Sequence, residues 1–176
     1  MRKAMKNDMR KWTLGVGMLM FVFHLLAAVS SCSSIDCPVQ NKVRTVYSIR
    51  SGIEATADTL KDTLTVVSSR LDKKDTILLS ASYNITQFSL PIGYANPEDT
   101  LYFAFRNGPF RAIDTVWVKK ENIPHFESVD CNATFFHRLT AIRSTHHAID
   151  SITINNSSVT YDASAQHLYL YVKSRN

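Results

Sequence analysis

The chain has 176 residues, enough for one ordinary domain rather than two, and a formal net charge of +5 from 20 Lys and Arg against 15 Asp and Glu. Five of the bases (Arg2, Lys3, Lys6, Arg10, Lys11) and, of the acids, only Asp8 precede Ser31, so the remainder is close to neutral. That excludes the stripe of Lys and Arg with which a protein displaces counterions from nucleic acid.

From the N-terminus, Met1 to Lys11 is a basic run and Trp12 to Val29 carries no formal charge, closing on Ala27-Ala28-Val29-Ser30-Ser31-Cys32. Basic, then apolar, then small is the order of a secretory signal, and it predicts a helical signal segment over residues 1–31. A transmembrane anchor is the rival, since about 18 apolar residues is the lower edge of what spans a bilayer. Gly15, Gly17 and His24 lower the hydrophobicity, and small residues stand where a stop-transfer helix carries basic ones. Val29-Ser30-Ser31-Cys32 resembles the lipobox of bacterial lipoproteins. That resemblance implies cleavage before Cys32, a diacylglycerol on its thiol and an acyl chain such as palmitate on its new amine. Several chains bury enough CH2 groups for stable anchoring, where one chain is marginal. Ser33 and Ser34 follow in place of an acidic residue. By the same resemblance this implies an outer-membrane lipoprotein, facing the periplasm or, alternatively, the outside. Residues 32–42 would then be a short tether and 43–176 the folded domain.

Two cysteines remain after processing, Cys37 and Cys131, in a compartment that permits disulfides. Pairing them would close a loop of about 94 residues and remove roughly 4–5 kcal/mol of unfolded-state entropy in the chain-entropy model. Two separate thiols are the alternative. Neither Cys belongs to a CxxC pair or a Cys/His cluster of zinc spacing, so no metal or cofactor is expected.

From Val43 onward the dominant period is two. Val, Ile, Thr, Tyr and Phe fill short runs that end at Gly, Pro, Asn or Asp. The expected strands are Val43 to Arg50, Thr63 to Ser69, Asp75 to Ser80, Ile85 to Leu90, Leu101 to Arg106, Thr115 to Lys119, Thr134 to Ile142, Ser151 to Asn155 and His167 to Lys173. Leu101, Phe103 and Phe105 share one face of their run, and Leu168, Leu170 and Val172 share one face of theirs, as a sheet with one buried side requires. Asn107-Gly108-Pro109 and Asn155-Asn156-Ser157-Ser158 are turn signals. Ile53 to Lys61 is the one candidate for a short helix. Eight or nine strands in this length predict an all-β domain, an immunoglobulin-like β-sandwich, with a small β-barrel as the alternative.

Asp, then Thr or Ser, then an aliphatic residue recurs six times, around Thr59, Thr63, Thr76, Thr100, Thr115 and Ser151. Asp closes a turn by bonding nearby amides, Thr suits the pleated surface and the aliphatic residue starts a buried face, so the tripeptide marks strand starts. It also resembles the acceptor site of protein O-glycosylation in Bacteroidetes, which implies that those six hydroxyls are candidate glycan carriers.

The strongest polar cluster is Thr145-His146-His147-Ala148-Ile149-Asp150, with His125, Glu127 and His137 upstream. Imidazole and carboxylate are metal ligands and general bases. A metal-dependent hydrolase would need His146, Asp150 and one of those three to converge. There is no His-Glu-x-x-His pair, nucleophile elbow, calcium loop or phosphate-cradling Gly-rich turn, so an enzyme is not the expected reading. Tyr169 and Tyr171, opposite Leu168 and Leu170, are candidates for a strip that stacks on sugars or a partner protein, unless both sheet faces are covered.

The lipobox, Pro91 to Phe105, Pro124 to Cys131 and Thr145 to Ile152 together resemble an uncharacterised family of small Bacteroidetes envelope lipoproteins. The resemblance implies location and a compact β-rich domain, without an activity to transfer. The sequence therefore predicts a membrane-anchored protein in a binding or structural role. Its partners would be the membrane through Cys32 and an unidentified protein or glycan, and a glycan-binding accessory module is the sharper form of that reading.

Overall fold

The computed structural model describes residues 43–69, 75–128, 131 and 133–174; the signal segment, the tether, Cys32 and Cys37 lie outside them. The described chain is all-β, with no helix. In order the strands are β1 (Arg44–Ser51), β2 (Thr56–Ala57), β3 (Thr63–Ser68), β4 (Thr76–Ser82), β5 (Gln87–Pro91), β6 (Glu98–Asn107), β7 (Phe110–His125), β8 (Thr134–Ser144), β9 (Ile149–Ile154), β10 (Ser158–Val159) and β11 (Leu168–Val172). They form two sheets in a sandwich-like arrangement, one of them curled as half a barrel. One sheet runs β2-β1-β11-β9 with β5 also on β1, and the other β10-β8-β7-β6-β3-β4.

Each expected run corresponds to a strand, with two differences. Eleven strands stand among the described residues rather than eight or nine, because β2 and β10 have two residues each and exist only through pairing with β1 and β8. The helix expected over Ile53 to Lys61 is absent. Gly52 at φ +69° and Ala55 at φ +50° reverse the chain there, and a right-handed helix has no place for that backbone.

The core follows from the alternation. Leu64 pairs with Phe105 and Val66 with Phe103 across β3 and β6, and all four are fully buried. From the facing sheet Tyr47 stacks on Phe88 with centroids 4.9 Å apart, and Phe103 meets both rings on edge or tilted. Each such side chain contributes about 1.5–3 kcal/mol by leaving water. At the β6–β7 hairpin, Asn107 pairs with Phe110 across Gly108-Pro109. Gly108 takes φ +54° at the first loop position, a conformation suited to a two-residue hairpin that begins with Gly.

The first and last strands meet in parallel, Tyr47 against Leu168 and Ile49 against Leu170. His167 locks that seam. Its backbone N–H donates to the Val46 carbonyl at 3.1 Å, and its Nδ1 accepts from the Val46 N–H at 3.0 Å. Burial holds this imidazole below its ordinary range, while the Ser158 backbone and Asp162 pull the other way; an Nδ1 that accepts must carry no proton.

Candidate binding site

At one end of the sandwich the segment from Pro91 to Pro97 bends over the start of β6. It is held by charged and polar groups of β7. Lys120 follows Asp114, Val116 and Val118 at period two, so it points inward, and its side chain is completely buried. Its Nζ lies 2.8 Å from Asp99 Oδ1 and donates to the Asn96 carbonyl at 3.0 Å, and its backbone N–H donates to the Pro97 carbonyl. Asp99 in turn accepts from the Gly93 N–H at 3.2 Å. A Cβ on Gly93 would stand 3.3 Å from Asp99 Oδ1, so the turn fits the carboxylate closely. Asn122 donates from Nδ2 to the Tyr94 carbonyl at 2.7 Å, and its Oδ1 lies 2.8 Å from His137 Nδ1. Desolvation, reinforced by the Lys120 charge, pushes His137 down to about 4, so at neutral pH it is an uncharged hydrogen-bonding group.

This anchored segment, the end of β3, the start of β4 and the first half of β6 surround a groove of about 970 Å³. Its lining residues include Ser68, Thr76, Thr100 and Tyr102, which bear hydroxyls, together with Asp99 and Tyr94. Tyr94 is 65 % exposed, yet one face of its ring is backed by Phe135, 5.2 Å away and nearly parallel. The other side of the β7–β8 ribbon carries a second aromatic group. His125 stacks on Phe136 at 4.0 Å, Tyr161 meets both rings on edge, and Glu127 lies 3.2 Å from the imidazole. Phe126 beside them is exposed. Backed rings and hydroxyls can stack on, and hydrogen bond to, a polar organic ligand.

The residues singled out by sequence fall elsewhere. His146, His147 and Asp150 are exposed around the β8–β9 turn, and His125 and His137 occupy different faces of the ribbon. Among the described residues no three His, Cys, Asp or Glu side chains gather as a metal site, so the convergence required of a hydrolase is not found there. The cluster instead surrounds the carboxylate of Asp114. Oδ1 accepts from Thr145 Oγ1 at 2.8 Å and the His147 N–H at 2.7 Å; Oδ2 accepts from the N–H groups of Ala148 and Ile149 at 2.7 and 2.8 Å. Burial alone would raise its pKa, but these four donors together hold it below the usual carboxylate range. Asp114 thus sits inside β7 as a staple to the next turn, not at a strand start. Thr63 and Thr76 do open strands. Of the six candidate hydroxyl residues, Thr76 is exposed and Thr59, Thr63, Thr100, Thr115 and Ser151 are partly buried. Tyr169 and Tyr171 are half-buried too, and the Arg50 guanidinium covers the Tyr169 ring at 4.8 Å, so they form no open strip. Cys131 is disulfide-bonded, and its partner lies outside the described residues.

Sequence reading passed over Asp99, Lys120 and Tyr94. A signal for Lys120 was present, because a lysine two residues beyond Val116 and Val118 falls on the buried side of a strand.

Fold and groove together define a β-sandwich-like domain with a binding-type cleft and no recognisable catalytic constellation among the described residues. The chain belongs to DUF6452, a family of unknown function, whose pattern matches residues 63–172. No curated protein and no solved structure matches it significantly. The family match leaves out β1, although β1 joins β5 to β11.

Proposed function

We propose that the protein is an envelope lipoprotein, acylated at Cys32 and held on the outer membrane facing the periplasm, whose domain binds a ligand in the groove beneath Pro91 to Pro97. The signal-like segment and the Val29-Ser30-Ser31-Cys32 resemblance support the anchor. The observation that carries the binding role is the groove of about 970 Å³ whose mouth holds an exposed tyrosine ring stiffened from behind by Phe135. A buried lysine retained to hold the loop in place is consistent with a site that must keep its shape, since burying that charge is otherwise costly. The role is binding rather than catalysis.

The same groove favours a neutral glycan as ligand. Hydroxyls of Ser68, Thr76 and Thr100 and the Asp99 carboxylate offer the hydrogen bonds that sugar hydroxyls need, and the open face of Tyr94 offers a stacking surface. Within this reading Cys131 pairs with Cys37, because Cys32 carries lipid.

Two measurements test the reading. Intact mass of the protein from its native envelope should show a lipid increment on a chain that starts at Cys32; an unlipidated chain that keeps residues 1–31 would refute the anchor. Calorimetric titration with neutral oligosaccharides should give binding that Tyr94→Ala weakens at least tenfold. A full set of β- and α-linked hexose oligomers without binding would exclude the glycan.

A further inference from the structure

We propose a second binding site, independent of the groove, for a phosphate group on the outer face of the six-stranded sheet at the far end of β6. Across three adjacent strands Thr63 pairs with Arg106 and Arg106 with Arg111. The neighbouring row, Leu64 and Phe105, is fully buried. Because side chains alternate along a strand, Thr63, Arg106 and Arg111 therefore point to solvent. Together with Lys61, the turn at Gly108 and the 63 % exposed Tyr83, they line a depression of about 350 Å³.

Three observations point to an anion. Arg106 and Arg111 are direct cross-strand neighbours, with Cβ atoms about 5 Å apart, and like charges so placed repel. A domain with almost equal numbers of acids and bases had other places for them. No ion pair among the described residues relieves that repulsion, since their carboxylate partnerships involve Lys120, His125, Arg138 and Arg143. Neither the Lys61 ammonium nor the Arg106 guanidinium has a hydrogen-bond partner among the described residues. The adjacent carboxylate, Asp62, is buried and accepts from Asn107 Nδ2 at 3.0 Å, and it is not on the wall of the depression. Finally, Arg111 is already positioned. Its Nη1 donates to the carbonyls of Gly108 at 2.7 Å and Phe110 at 2.8 Å, which leaves the other nitrogens of the guanidinium fork for a ligand.

A tetrahedral oxyanion suits this set. Guanidinium forks from two strands can each donate to it, Lys61 adds a third positive charge, and the hydroxyls of Thr63 and Tyr83 add neutral donors. The turn at Gly108 leaves the approach open, with no heavy atom within 4 Å of where a Cβ would stand. Along β6 the groove reaches Tyr102 and the depression begins at Arg106, four residues or roughly 13 Å further on at 3.3 Å per residue. The two sites can therefore be occupied at once.

The phosphate could be carried by a soluble molecule or by a lipid headgroup, and the test separates them. The full mature chain is titrated by calorimetry with inorganic phosphate, with pyrophosphate and with short-chain phosphatidylglycerol below its micelle threshold, each against sodium chloride of equal ionic strength. Saturable binding of the inorganic anions identifies a soluble phosphate, and binding of the lipid alone identifies a headgroup; either supports the site. Arg106→Gln should then weaken the binding at least tenfold, as expected when one charge-assisted contact is lost. The ligand-free variant should unfold at a urea concentration no lower than the parent, because repulsion from Arg111 is removed. Binding of none of the three probes, binding that sodium chloride reproduces, or binding that Arg106→Gln leaves intact would overturn the proposal.

Discussion

Replacing Asp114 tests whether the polar cluster after β8 is structural. In the native protein its carboxylate receives four donors, and two of them, the N–H groups of Ala148 and Ile149, belong to fully buried residues. Hydrogen bonds to a charged group are worth about 1.5–3 kcal/mol each, and a buried donor left without an acceptor costs about 1–3 kcal/mol. Asp114→Ala strips both buried donors and the Thr145 hydroxyl of their acceptor, while the His147 N–H, on an exposed residue, can turn to water. The expected loss is about 4–6 kcal/mol, a large part of an ordinary domain's whole stability. Asp114→Asn keeps one oxygen for the buried pair but turns an NH2 group toward the other donors. Its expected cost is about 2–3 kcal/mol. Urea unfolding followed by fluorescence is suited to the measurement, because Trp117 is the one tryptophan beyond the N-terminal segment. Asp150→Asn, on the exposed side of the same turn, should stay within about 0.5 kcal/mol of the parent. If Asp114→Asn also stays within that margin, the staple contributes nothing and the argument from donor counting fails.

Two further outcomes follow from the loop anchors. His137 is depressed from its ordinary 6.5 to about 4, so the native state resists its protonation and the unfolded chain does not. The stability it protects is complete above pH 6.5 and is lost as pH falls from there to about 4, with a limit of roughly 3 kcal/mol. His137→Asn should flatten that part of the urea-midpoint profile, and an unchanged slope would reject the assignment. Lys120→Ala leaves Asp99 without its charged partner and frees the Asn96 carbonyl, while the backbone bond to Pro97 stays; it should cost about 3 kcal/mol, the low end for a broken buried pair because Asp99 is partly exposed. It should also speed amide exchange at Gly93 relative to core amides, and exchange at the parent rate would show that the loop is held by other contacts.

Much of the fold was legible in the residues and much of the site was not. Period-two runs such as Leu101 to Arg106 and His167 to Lys173 carry their own evidence, since alternation fixes both strand and buried face. The 16-residue extent of β7 does not show in the same way, because Glu121 to His125 lacks the alternation, contains Pro124 and becomes a strand by pairing with β8. The Asp-Thr-aliphatic pattern does mark strand starts at Thr63 and Thr76. It misplaced Asp114, whose donors come from more than thirty residues away. The groove depends on Lys120 reaching Asn96 and on Tyr94 meeting Phe135, and no local pattern encodes such distant meetings.

The parallel pairing of β1 with β11 bears on when the protein can fold. β11 lies between β1 and β9, so the sheet has a gap in its middle until the last residues arrive. Contacts closed across some 120 residues are slow to form, and the ordering entropy of the intervening chain must be met first. A nascent chain of this kind stays open until its C-terminal strand is released. A truncation just before Leu168 would accordingly trap the chain in that unfinished state instead of trimming an edge.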